Sequence, residues 1–169
     1  MKKSIVLVGL PGVGKTTVGQ RLAKRLHLPF VDSDREIEMA AGLTIPEIFA
    51  RHGEAQFRGG ERRVIARLIA GPPQVIATGG GAFMNMETRT LILKRCVAVW
   101  LDGEIETLAR RAARSGNRPL LDQADPLSSL RALAAQRNPV YAEAQIRVPC
   151  GADISQAQTV ERIVAALSG

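Results

Sequence analysis

Gly9, Gly14, Lys15 and Thr16 stand in the spacing G-x-x-x-x-G-K-[ST] within the run "VLVGLPGVGKTTVGQ". Glycines there let backbone amides curl around phosphate oxygens with no Cβ in the way, and a helix that starts at the lysine adds its positive dipole end. The chemistry this predicts is the binding of a nucleoside triphosphate. Gly12, Val13, Gly14 and Thr17 would form the cradle, Lys15 would bridge the β- and γ-phosphates, and the Thr16 hydroxyl would hold Mg²⁺.

Other residues could serve a second substrate. Asp32 and Asp34 end the apolar run "PFVD", and as i, i+2 neighbours at a strand end they can point to different ligands, one to the metal and one to an acceptor. The same D-x-D also suits a helix N-cap. Arg58 has Glu61 three positions on, the spacing at which a helix brings a carboxylate to a guanidinium. Gly79, Gly80 and Gly81 follow a buried run and leave room for a close ligand. From Arg110 to Asp125 the stretch "RRAARSGNRPLLDQAD" is polar, basic and broken by Gly116 and Pro119, which predicts a mobile loop. Arg118 within it is a cation that a closing lid could bring to a transferring phosphoryl group while excluding water. His27 and His52 are isolated and read as helix-end or surface residues; Cys96 and Cys150 form no CxxC and read as reduced thiols.

These residues need a scaffold. "SIVLVG" is a short, β-branched apolar run ending in glycine, as expected of a central parallel strand, and a helix from Lys15 to about Leu26 follows with Val18, Leu22 and Leu26 on one face. "SDREIEMAAG" and "IPEIFARHG" predict two short helices, each stopped by a glycine, and residues 53–70 a longer one. "QVIATGGG" and "CVAVWLD" are further buried strands, "QIRV" an edge strand, and "PLSSLRALAAQRNPVYAEA" and "QAQTVERIVAAL" helices. Alternation of this kind predicts one α/β domain over 1–169, with a parallel sheet covered on both faces.

Composition narrows the function. A net charge of +7 could suit a nucleic acid, but the arginines are scattered, and one Trp, one Tyr and four Phe leave few stacking platforms; small anionic ligands explain the excess. The apolar runs "IVLVGL" and "VAVWL" fall short of the ~18 residues a membrane span needs, and "MKK" is followed by no signal-peptide core, so a cytoplasmic protein without membrane contact is expected. No N-K-x-D or D-x-x-G signature of a GTPase occurs. A compact kinase of a small metabolite remains.

"DSDREIE" at 32–38, "FRGGE" at 57–61, "TGGG" at 78–81, "RPLL" at 118–121 and "RNPVYAEA" at 137–144, taken with the phosphate loop, resemble shikimate kinase in order and spacing over essentially the whole chain. The resemblance implies a three-layer αβα P-loop NTPase fold with a five-stranded parallel sheet of order 2-3-1-4-5, a lid at about 112–125 and an acceptor-binding region at about 33–61. It implies transfer of the γ-phosphoryl group of ATP to the 3-hydroxyl of shikimate by a monomer, with Lys15, Asp34 and Arg118 as the catalytic set. Asp32 would reach Mg²⁺ through water, and Asp34 would bind the substrate hydroxyls as base or orienter. Arg58 and Arg137 would take the carboxylate, with Gly79, Gly80 and Gly81 close to the acceptor and Phe49 and Phe57 flanking its ring. Arg111 or Arg110 would stack on adenine, the former favoured by standing seven positions before Arg118, and the segment near "GADISQAQ" would close over it. Two alternatives share these motifs: a kinase of another hydroxy acid such as gluconate, and a non-catalytic sensor of nucleotide or shikimate.

Overall fold

A computed structural model describes residues 3–115 and 125–169 of the chain. Its strands are β1 (Ile5–Val8), β2 (Phe30–Asp32), β3 (Val75–Ala77), β4 (Val97–Gly103) and β5 (Ile146–Cys150). They form one parallel sheet of order β2-β3-β1-β4-β5, as expected, with Ile5 of the central strand paired to Val75 on one side and Val97 on the other. All of β1 is buried, and it can be apolar at every position because helices cover both faces of the sheet.

Helix α1 (Lys15–Leu26) buries Val18, Leu22 and Ala23, and ends at His27 in the left-handed region. It packs beside α7 (Gln156–Ser168), with Arg25 and Glu161 paired across the seam at 3.0 Å. Helix α2 (Ser33–Ala41) stops at Gly42, as its glycine predicted. Helix α3 (Ile45–Ala70) is two helical pieces joined at Gly53, whose φ of 82° and ψ of 168° break the hydrogen-bond run at the expected glycine. A 3₁₀ turn (Ala82–Met84) and α4 (Met86–Arg95) return the chain to β4, and α5 (Ile105–Ser115) and α6 (Pro126–Tyr141) connect β4 to β5.

The expected loss of periodicity at Arg110 needs correction. Helix α5 continues through Ser115, because Leu108 and Ala112, four apart and both buried, carry the apolar stripe onward beneath a coat of arginines. Residues 112–115 of the anticipated lid are therefore helical, and Asp125 at its other end caps α6 by accepting from Ser128 N. Residues 116–124, with Arg118, lie outside the described residues. Among the described residues no helix is long and apolar enough to cross a membrane.

Candidate active site

The C-terminal ends of β1, β2 and β3, adjacent in the sheet, deliver three loops to one place. After β1 the chain turns through Gly14, whose φ of 102° a side chain would resist, into the first turn of α1. Lys15 Nζ donates to the carbonyls of Gly9 at 2.7 Å and Leu10 at 3.0 Å, so the ammonium lies across the loop that the sequence assigned to phosphate. Thr16 and Thr17 sit in that first helical turn. Arg111 Nη1 donates to Gly12 O at 3.1 Å, whereas Arg110 bonds Thr107. Val13, Arg111, Gly151 and Ile154 line one cavity beside the loop, which brings the "GADISQ" segment to the phosphate side of the molecule. Glu104 fixes that segment. Its Oε1 accepts from Ala152 N at 3.0 Å and Thr107 Oγ1 at 3.1 Å, and these donors hold its carboxyl below the usual range. No sequence signal marked Glu104, since its backbone partner is 48 positions away.

After β2, Asp32 does two things at once. Its Oδ1 accepts from Asp34 N at 3.0 Å as the N-cap of α2, and its Oδ2 accepts from Thr16 Oγ1 at 3.1 Å. The cap reading and the site reading of D-x-D are thus compatible. Asp34 has its pKa pushed up to about 6, chiefly by burial and then by the negative charges of Asp32 and Glu61, with Lys15 pulling the other way.

After β3 come the three glycines, and each faces one functional group. A Cβ on Gly79 would fall 2.7 Å from Asp34 Oδ1, one on Gly80 2.7 Å from Arg137 Nη1, and one on Gly81 2.8 Å from both terminal nitrogens of Arg58. Side chains at these positions would displace the carboxylate and both guanidiniums. Arg58 Nη1 donates to Glu61 Oε1 at 2.9 Å, and Glu61 is itself buried, so burial raises its carboxyl while Arg58 opposes the rise. Arg137 is buried on α6, and its Nη1 has no hydrogen-bond partner among the described residues.

A cavity of about 680 Å³, a size suited to a small metabolite, opens among Asp34, Phe49, Phe57, Arg58 and the glycine loop. Phe49 and Phe57 form its apolar wall with ring centroids 4.8 Å apart. An adjoining pocket shares Arg58, Glu61 and Gly81 and adds Arg137. One end of the space therefore presents two cations beside a carboxylate, and its walls are rings and aliphatic carbon. That arrangement can hold a carboxylate at one edge and hydroxyls at another.

A family model described as shikimate kinase matches residues 11–168. The chain is 58% identical over 165 residues to a shikimate kinase of Caulobacter vibrioides, covering 98% of this chain and 82% of that one. It is 52% identical to a shikimate kinase of Bradyrhizobium diazoefficiens, covering 98% and 79%. In three dimensions it resembles the shikimate kinase from Acinetobacter baumannii in complex with shikimate, with a TM-score of 0.89, 38% identity and 99% and 93% of the two chains covered. A gluconokinase from Sinorhizobium meliloti is similar at a TM-score of 0.66 and 21% identity, over 99% and 92% of the chains, which is a likeness of fold alone. The gluconate alternative thus has no support beyond the shared scaffold, while the shikimate kinases are similar in sequence over 98% of the chain. The chain belongs to the shikimate kinase family and is an ATP-dependent kinase of shikimate.

Proposed function

We propose that Lys15, Asp34, Arg58, Arg137 and Arg118 together carry transfer of the γ-phosphoryl group of ATP to the 3-hydroxyl of shikimate. One observation supports this above the others: Asp34, Arg137 and Arg58 lie in turn against three successive glycines, beside the phosphate loop. The amides of Gly12 to Gly14, with Lys15 and Thr17, grip the phosphates, and Arg111 lies against the adenine. The guanidinium forks of Arg58 and Arg137 meet the carboxylate, a planar match that lysine could not make. Asp34 accepts the hydrogen bond, and then the proton, of the attacking 3-hydroxyl. Because phosphoryl transfer passes through a loose transition state, orienting that oxygen matters more than removing its proton early. Arg118 supplies a cation to the transferring group.

The donors around Thr16 suit Mg²⁺. Thr16 Oγ1 and Asp32 Oδ2 converge at 3.1 Å, both hard oxygens, and among the described residues no group of three or more His, Cys, Asp or Glu could hold a metal alone. Thr16 and Asp32 would hold Mg²⁺ with few protein ligands, and the ion would serve to neutralise phosphate charge. By the same reading the enzyme is a cytoplasmic monomer with no nucleic-acid or membrane partner; its scattered positive charge suits two small anionic ligands.

The test is ADP release with ATP and Mg²⁺ over a panel of hydroxy acids. Shikimate should be turned over and gluconate should not. Arg118→Ala should abolish turnover with the fold intact, and Arg58→Ala and Arg137→Ala should chiefly raise KM for shikimate. Full turnover by Arg118→Ala would remove that residue from the catalytic set.

A further inference from the structure

Tyr141 is the single tyrosine of the chain. It is wholly buried at the end of α6, one turn beyond Arg137, with its ring between Phe83 at 6.5 Å and Trp100 at 6.0 Å. That packing asks only for an aromatic ring. The hydroxyl does something else: it faces the carbonyl oxygens of Gly80 at 2.5 Å and Gly9 at 3.1 Å. These two carbonyls belong to different halves of the site. Gly9 opens the phosphate loop, and its oxygen also accepts from Lys15 Nζ at 2.7 Å. Gly80 lies in the glycine loop, so close to Arg137 that a Cβ would fall 2.7 Å from Nη1. A phenol has one proton for its two acceptors, and the Lys15 ammonium supplies Gly9 with a second donor.

We propose that the Tyr141 hydroxyl is a positioning group, which pins the Gly80 peptide to the phosphate loop at Gly9 and so sets the spacing between the phosphoryl donor and the acid held at Arg137. This rests on the reading that the acceptor lies over Gly79 to Gly81. The spacing matters because an error of ~1 Å in the approach of reacting groups costs about 100-fold in rate. A shift of the Gly80 peptide moves Arg137 with it, since the two are in contact.

Tyr141→Phe keeps the ring and removes the hydroxyl, and with it the bonds to Gly80 and Gly9 and the contact with the Arg137 guanidinium. It should fold, keep KM for ATP within about twofold, and lose at least about tenfold in kcat. It should also release more ADP than shikimate phosphate, because a mispositioned acceptor lets water compete for the phosphoryl group. A residue that serves packing alone would not move that ratio. Unchanged kcat, KM for shikimate and product ratio in the variant, beside a parent that phosphorylates shikimate, would overturn the proposal; a parent without that activity would instead overturn the reading of the site. Should Tyr141→Phe fail to fold, growth on 3-fluorotyrosine labels this one position in the parent, and fluorine NMR carries the test. A resonance that shifts on adding Mg²⁺·ADP and again on adding shikimate supports a link between the two halves, and one unmoved by either of them overturns it.

Discussion

A carboxylate enclosed by Asp32, Glu61 and a glycine loop holds its proton to higher pH than one in water, and Asp34 accordingly sits near 6 rather than at its ordinary 3.8. Two outcomes follow at the scale of this residue. The free enzyme's profile of kcat/KM for shikimate should climb as pH rises through about 6, as Asp34 becomes the acceptor of a proton. Stability runs the other way. Between 3.8 and about 6 the native chain binds more protons than the unfolded one, so Asp34's contribution is full below the lower value and lost as pH rises through the upper. Asp34→Asn should thus lose turnover yet resist urea better at pH 7.5, by on the order of 2 kcal/mol, with the gain gone near pH 4. A variant equally stable relative to its parent at both pH values would contradict the raised value. Glu61→Gln tests the cause: with one negative neighbour removed, the acidic limb should move to lower pH, and KM for shikimate should rise because Arg58 loses the carboxylate at 2.9 Å that holds it. An unmoved limb would leave burial and the charge of Asp32 as the explanation. The D-x-D of Asp32 and Asp34 and the three-residue spacing of Arg58 and Glu61 were legible in the residues themselves, whereas Arg137 was legible only through the resemblance to shikimate kinase. Tyr141 was not legible as a link, because its partners stand 132 and 61 positions away and are backbone oxygens that any residue could supply.

The elements decide whether such residues meet. Helix α3 owes its shape to Gly53, where φ 82° and ψ 168° lie in a region open in practice to glycine alone. The break turns Phe49 on the first piece toward Phe57 on the second, with rings 4.8 Å apart at the wall of the acceptor cavity. Gly53→Ala should therefore destabilise the fold by about 1–3 kcal/mol and raise KM for shikimate while sparing that for ATP. Equal rises in both KM values would point to general loosening instead of a local defect in the wall. The helix stop at this glycine and the five strands were readable, since short apolar runs and four-residue apolar spacings are strong local signals, whereas the strand order came only from the resemblance to shikimate kinase, because pairing between distant strands leaves no local mark. The last turns of α5 were not. There the stripe is carried by Leu108 and Ala112, and a small alanine among arginines gives too weak an apolar signal to distinguish helix from polar loop.

For the molecule as a whole, the proposed site takes Gly9 to Thr17 from the β1–α1 turn, Asp32 and Asp34 from the end of β2, Arg58 from α3, Gly79 to Gly81 from beyond β3, and Arg137 from α6. A ligand that touches groups so dispersed binds only a chain folded throughout. Both ligands are anions, which gives the net charge of +7 a use that requires no nucleic acid. If residues 33–61 and the rest form one cooperative unit, calorimetry should show a single unfolding transition that either ligand moves as a whole. At 100 times its Kd, shikimate should add about 2.7 kcal/mol, and nucleotide the same at its own 100-fold excess. Arg137→Ala, at the parent's shikimate concentration, should lose most of the shikimate shift and keep the nucleotide shift, because its guanidinium faces Gly80 while the phosphate loop is built from other residues. Two transitions, of which shikimate raised only one, would mean that residues 33–61 fold apart from the sheet, and the contacts of Asp34 with Gly79 and of Arg58 with Gly81 would then be too weak to hold the acceptor in place for transfer.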